Sequence, residues 1–205
     1  MSTALVVETA PVDPIVVTLA EAKLFGRVTT SDDDALITSM VKAATGKAQD
    51  KLGGTVLLST AYVWYFDEWP DPPEDSDDLP FLRLPLGPVT AIASVQYYDT
   101  AGVKQTLSAS LYYTDLNGLR ARVVLKQGQY WPQLEYGRPS AIEVRFTAGY
   151  ATAAAVPEDI KLWIKLMVQT YNENREAFIS GTVIAVAPRE YVDGLLDKYA
   201  VVEFY

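Results

Sequence analysis

Three groups of side chains in this 205-residue chain are of types that could do chemistry. Asp67, Glu68, Asp71, Glu74, Asp75, Asp77 and Asp78 place seven acids in one short stretch with no base among them. Acids at that density could hold a divalent cation, or supply paired carboxylates for acid-base work on a glycosidic bond. Trp64, Trp69 and Trp131 could stack on a sugar ring, and Arg120, Arg122 and Lys126 could touch phosphates.

Each group has a plainer reading that fits the surrounding residues better. The acidic stretch lacks the glycine and terminal glutamate of a helix-loop-helix calcium site, and Pro70, Pro72, Pro73 and Pro80 deny it both a helix and a ladder donor. It reads as a solvated loop. Aromatic side chains dominate cores generally, so the tryptophans are expected to pack inward, and three cations beside one hairpin are a narrow footprint for a nucleic-acid binder. Gly46-Lys47 resembles the end of a phosphate loop. Val41 stands where the first glycine belongs, however, and Ala48 where Ser or Thr belongs.

The chain has no cysteine and no histidine. Disulfides are therefore impossible, the usual zinc ligands are missing, and every Ser-His or Cys-His nucleophile is excluded. No catalytic, cofactor-binding or metal-binding residue is assigned, and the chain is read as non-enzymatic. The formal charge of -9 sits largely in the acidic stretch. With 49% hydrophobic and 11% aromatic residues the chain is expected to fold. The N-terminal 17 residues have no basic leader and no continuous apolar run, so a soluble, unprocessed protein is expected, with no membrane partner.

Two amphipathic helical stretches, residues 18–52 and 157–199, flank a block rich in strand and turn signals, residues 55–150. Thr18-Leu19-Ala20-Glu21 is a capping box, and a short helix to Phe25 follows. Ser31 offers a second cap, with Asp32, Asp33 and Asp34 at the positive end of a helix dipole. Leu36, Ile37, Met40, Val41, Ala44 and Ala48 then recur at helical spacing until Gly53-Gly54. Pro157 suits a first helical position, and Ile160, Trp163, Ile164, Met167, Val168 and Tyr171 form a stripe opposite Lys161, Lys165, Gln169 and Asn172. A third pattern from Pro188 carries Tyr191, Val192, Leu195, Leu196 and Tyr199, weakened by Gly194.

Within the block, residues 61–66 are apolar on both faces, whereas Ile142, Val144 and Phe146 alternate with Glu143, Arg145 and Thr147. Asn117-Gly118 is a strong hairpin signal and residues 99–102 a softer one. Six or seven short strands at this spacing predict an antiparallel sandwich or barrel. The fold class is thus α+β: a helical base of residues 1–54 with 151–205, in which the terminal helices pack together, carrying an inserted β domain of residues 55–150.

Two apolar segments fit neither core nor ordinary surface. Phe178, Ile179, Val183, Ile184 and Val186 lie in a charge-free, loop-like stretch, and the chain ends on Val201, Val202, Glu203, Phe204 and Tyr205. Chain ends are usually polar and frayed, so these residues are expected to dock, either on the chain's own helices or on another molecule.

The run Val17-Thr18-Leu19-Ala20-Glu21-Ala22-Lys23, the acidic cap before Ala35-Leu36-Ile37, Arg145-Phe146-Thr147-Ala148-Gly149-Tyr150, and Val156-Pro157 with Tyr171-Asn172-Glu173-Asn174-Arg175-Glu176-Ala177 together resemble the head-tail connector (adaptor) family of tailed phages and gene transfer agents. The resemblance spans nearly the whole chain. It implies a structural subunit in a ring of twelve copies beneath the portal protein, meeting the next tail component (a stopper or tail terminator) and letting DNA pass without specific binding. It also implies a place at the head-tail junction of a virion or phage-like particle, with assembly in the host cytoplasm. On this reading Phe178, Ile179, Val183, Ile184, Val186, Val201, Val202, Phe204 and Tyr205 are interface residues, and Asp71, Glu74, Asp75, Asp77 and Asp78 face the channel. The competing class is a carbohydrate-binding or glycoside-acting module built on the β block.

Overall fold

The computed structural model describes residues 3–12, 14–70, 79–118, 120–174 and 192–200. The chain divides into two units. One comprises Met1–Pro11 with Ser59–Gly149, the other Val12–Leu58 with Tyr150–Tyr205. Strands fill the first and helices the second, as an α+β chain requires.

Among the described residues the β unit holds eight strands: β1 (Thr3–Thr9), β2 (Thr60–Phe66), β3 (Phe81–Arg83), β4 (Val89–Tyr98), β5 (Lys104–Thr106), β6 (Tyr112–Asp115), β7 (Arg122–Leu125) and β8 (Ile142–Ala148). They form two sheets, ordered β1-β2-β8-β4-β5 and β3-β7-β6, and every pairing is antiparallel. The predicted choice between sandwich and barrel therefore resolves into separate sheets, not one closed strand circuit. Each sheet buries one face. Tyr62 and Phe66 of β2, Ile142, Val144 and Phe146 of β8 and Val95 of β4 supply the row of the larger sheet, and Leu82, Val123 and Leu125 that of the smaller. The turn at residues 99–102 joins β4 to β5. There the Asp99 carboxylate accepts from the backbone N–H of Ala101 and Val103, both at 3.0 Å, while Gly102 takes a φ of 73° that L side chains rarely adopt. Asn117-Gly118 lies between β6 and β7, where the hairpin signal put it.

Residues 3–9, grouped with the helices from sequence, pair with β2 as an edge strand. Their β-branched, apolar composition suits a strand, and no helical start signal competes with it.

The helical unit contains α1 (Leu19–Phe25), α2 (Asp34–Lys51) and α3 (Glu158–Glu173). The capping box forms: Glu21 N–H donates to Thr18 Oγ1 at 3.2 Å, and Thr18 N–H donates to Glu21 Oε2 at 2.7 Å. At α2 the cap position falls on Asp33, not Ser31, and no side chain closes it. Ile37, Val41, Ala44 and Ala48 are buried, but Leu36 is exposed. Gly46 and Lys47 lie inside α2, so no phosphate loop exists there. Pro157 caps α3, whose Ile160, Trp163, Ile164 and Val168 join the α2 residues in one core with Val17, Leu52 and Leu57. Lys161, expected on the solvent side, is buried. Its ammonium donates to Glu158 Oε1 at 2.8 Å and to the Ala154 carbonyl at 3.2 Å, which satisfies the charge in place.

Of the third helical pattern expected from Pro188, residues 188–191 lie outside the described residues; residues 192–193 are helical, and a 3-10 turn follows at Asp197–Tyr199. Leu196 is buried in the helical core, and Val192, Leu195 and Tyr199 pack against it. The chain is pinned there by polar bonds. Trp163 Nε1 donates to Asp193 Oδ1 at 3.1 Å, Lys51 pairs with Asp193 Oδ2 at 2.8 Å, and Thr55 Oγ1 donates to the Tyr199 carbonyl at 2.7 Å.

Candidate assembly surfaces

The interface residues predicted from sequence, Phe178, Ile179, Val183, Ile184, Val186, Val201, Val202, Phe204 and Tyr205, lie outside the described residues. So do Asp71, Glu74, Asp75, Asp77 and Asp78 of the acidic stretch.

The outward face of the five-stranded sheet carries a row of alternating charge. Arg145 on β8 donates through Nη2 to Glu143 Oε1 at 2.7 Å and reaches Glu8 Oε1 on β1 through Nη1 at 2.5 Å. Lys104 on β5 pairs with the other Glu143 oxygen. The row Glu8, Arg145, Glu143, Lys104 thus spans the sheet from one edge to the other. Glu143, read from sequence as an outward polar residue, is 5% exposed. Burial alone would raise its carboxyl, but bonds from Lys104 and Arg145 outweigh that and hold it below the usual carboxylate range. Because β2 separates β8 from β1, the Arg145 side chain crosses β2 to reach Glu8. Val63, its register partner on β2, is only 4% exposed despite facing outward. The apolar stem of an arginine can cover such a side chain while its head stays charged.

β1 is exposed along its whole length, with Leu5, Val6 and Val7 at 40%, 50% and 53%. Successive side chains of a strand point to opposite faces, so this edge is apolar on both. Sequence reasoning missed it. The signal was present in Thr3-Ala4-Leu5-Val6-Val7, but without hairpin or alternation cues the run was indistinguishable from an apolar terminus.

The residues that might have made a catalytic or sugar-binding site are engaged structurally. Trp69 and Trp131 stack on each other with centroids 4.5 Å apart and planes 7° from parallel, and Trp64 packs on Phe66 at 4.5 Å. Trp69 Nε1 donates to the Pro132 carbonyl at 2.9 Å. An open cleft of about 400 Å³ lies between Asp67, Glu68 and the loop 134–139. Asp67 there accepts the Ser140 N–H at 2.8 Å, and Glu135 pairs with Arg138 at 2.7 Å. Two of its three acids are therefore tied into the loop. Among the described residues no group of three or more acids is placed to hold a metal ion. Of the candidate phosphate-binding cations, Arg122 pairs with Asp115 at 2.7 Å, and the Arg122 bond holds the Asp115 carboxyl below its ordinary range. Lys126 donates to the Ser110 carbonyl at 2.7 Å and lies over the Tyr113 ring.

A family model described as phage gp6-like head-tail connector protein matches residues 16–111, which run from the start of the helical core into the β unit. No curated protein matches the chain. Three solved structures share the fold over 98% of this chain and 97% of theirs. They are the neck of an empty GTA particle computed with C6 symmetry (23% identity, TM-score 0.72), the virion of a native gene transfer agent particle (23%, 0.71) and the neck of a native GTA particle computed with C12 symmetry (22%, 0.68).

Proposed function

We propose that the chain, whose residues 16–111 match a family model described as phage gp6-like head-tail connector protein, is a structural ring subunit that joins a DNA-filled head to a tail. One observation carries the reading: the family match and the neck folds coincide on one chain, with both the helical and the β unit included in the shared fold.

In this reading twelve copies form a ring beneath the portal protein and offer their far side to the next tail component, while DNA passes through without sequence-specific contact. The neck structure computed with C12 symmetry supports the number twelve. Closed rings of identical subunits use heterologous contacts, so each copy needs two different patches. The apolar residues Phe178, Ile179, Val183, Ile184, Val186, Val201, Val202, Phe204 and Tyr205 are candidates for subunit or portal contact on their composition. The acids Asp71, Glu74, Asp75, Asp77 and Asp78 suit a channel lining, because like charge keeps the phosphate backbone from adhering. The particle is either a phage or a gene transfer agent, assembled in the host cytoplasm. The helical unit, Val12–Leu58 with Tyr150–Tyr205, serves as the connector body, and the β unit, Met1–Pro11 with Ser59–Gly149, is the domain it carries.

The test is to remove the gene from a producing strain and image the particles. The reading predicts filled or partly filled heads and free tails that do not join, restored when the chain is supplied in trans. Joined, normal particles in its absence would overturn it.

A further inference from the structure

We propose that the free edge of β1 is a subunit contact, where the β5 edge of a second copy of this chain adds and continues the five-stranded sheet across the boundary. This rests on the ring reading above and supplies what that reading leaves open, the place where neighbours meet in the β unit.

The first observation is that the β1 edge lacks protection. Natural sheets blunt an edge with lysine, proline, shortness or a cover, because unpaired N–H and C=O groups recruit other strands. Residues 3–9 contain no lysine, arginine or proline, and the strand is seven residues long. Its register to β2 runs unbroken from Thr3 opposite Phe66 to Val7 opposite Tyr62, the one irregularity falling after Val7. Its only charge, Glu8, is held within its own sheet by Arg145. The result is a regular, apolar strand with one side paired and, among the described residues, no strand on the other.

The second observation selects the occupant. A ring contact must join two different patches, and the edges of one sheet are such a pair. The charge row on the outward face begins with an acid, Glu8, at the β1 edge and ends with a base, Lys104, at the β5 edge. Their side chains keep 40% and 36% exposure. Addition of β5 to β1 continues the alternation of charge from copy to copy. Strand direction reverses at each step of the sheet, so β1 and β5 run the same way and the joint is parallel. Main-chain bonds supply the affinity in strand addition, and the apolar side chains on both faces of β1 gain cover.

The absence of native cysteine makes the test clean. Val6→Cys on β1 and Thr106→Cys on β5 place thiols on the same outward face, and assembled particles carrying both are treated with a short bis-maleimide. The expected result is a ladder of covalent oligomers from the double variant and monomer from either single variant. Covalent dimers from Val6→Cys alone would mean that β1 meets β1, and would overturn the proposal. A second variant, Val6→Lys, places a charge on an exposed site, and is expected to leave the circular dichroism and melting of the free chain unchanged while rings are lost. Normal rings from Val6→Lys, or normal rings with no ladder, would overturn this contact and leave the ring reading standing. Wild-type particles with no ring of this chain would remove both.

Discussion

Arg145 Nη1 lies 2.5 Å from Glu8 Oε1, a contact that passes over an entire strand and ties the edge strand to the centre of its sheet. β1 is thereby anchored twice, by its ladder to β2 and by an arginine that keeps its second hand on Glu143. A strand presented for addition has to be held in place before its partner arrives, and this bond does so.

Replacing Arg145 with Met keeps a stem over Val63 and removes the charge. Glu143 then retains one cation of two in a buried setting, so the chain is expected to lose about 2 kcal/mol, within the range for hydrogen bonds to charged groups. Denaturant midpoints measure this. Amide exchange in residues 3–9 should rise in the same variant, and unchanged exchange there would show that the ladder alone holds β1.

The depressed Glu143 carboxyl gives a pH signature. A group whose folded pKa lies below its unfolded value stabilises the fold above the unfolded value, and that contribution is lost as pH falls through the folded one. Asp115 and Asp159, lowered by Arg122 and Lys198, act in the same direction. Melting temperature is therefore expected to fall as pH drops below the ordinary carboxylate value of 4.5. Glu143→Gln should flatten that decline, and a parallel decline in wild type and variant would place the titrating groups elsewhere.

Asp193 accepts from both Trp163 and Lys51, so Asp193→Ala leaves a buried indole donor without its partner. A cost of about 1 to 3 kcal/mol follows from that unsatisfied group. Limited proteolysis of residues 192–200 should quicken relative to cleavage within the β unit. Equal rates would show that the buried Leu196 carries the attachment.

Deleting residues 201–205 should leave cooperative unfolding in place and reduce incorporation into particles, if the terminal aromatics meet another molecule. Loss of soluble, cooperative folding in the truncated chain would assign them to its own core.

Much of this architecture was legible from residue patterns, and the exceptions have physical reasons. Capping chemistry is local, so Thr18 and Glu21 marked α1 from spacing alone, and the α3 stripe of Ile160, Trp163, Ile164 and Val168 was strong enough to survive tertiary context. Glu143 and Lys161 were misread because side-chain polarity predicts exposure only until an opposite charge arrives from elsewhere, here Arg145 with Lys104 and Glu158 with the Ala154 carbonyl. The β1 strand was missed because it pairs with residues some sixty positions away, such as Val6 with Val63, and nothing in residues 3–9 announces that partner.

The most direct test is imaging of the particle that carries this chain, with a compact tag fused to the subunit and symmetry left unimposed. The account predicts one ring of tagged density between head and tail, with twelve copies around the channel. Tag density on the capsid shell, on the tail fibres or absent from the particle would contradict it.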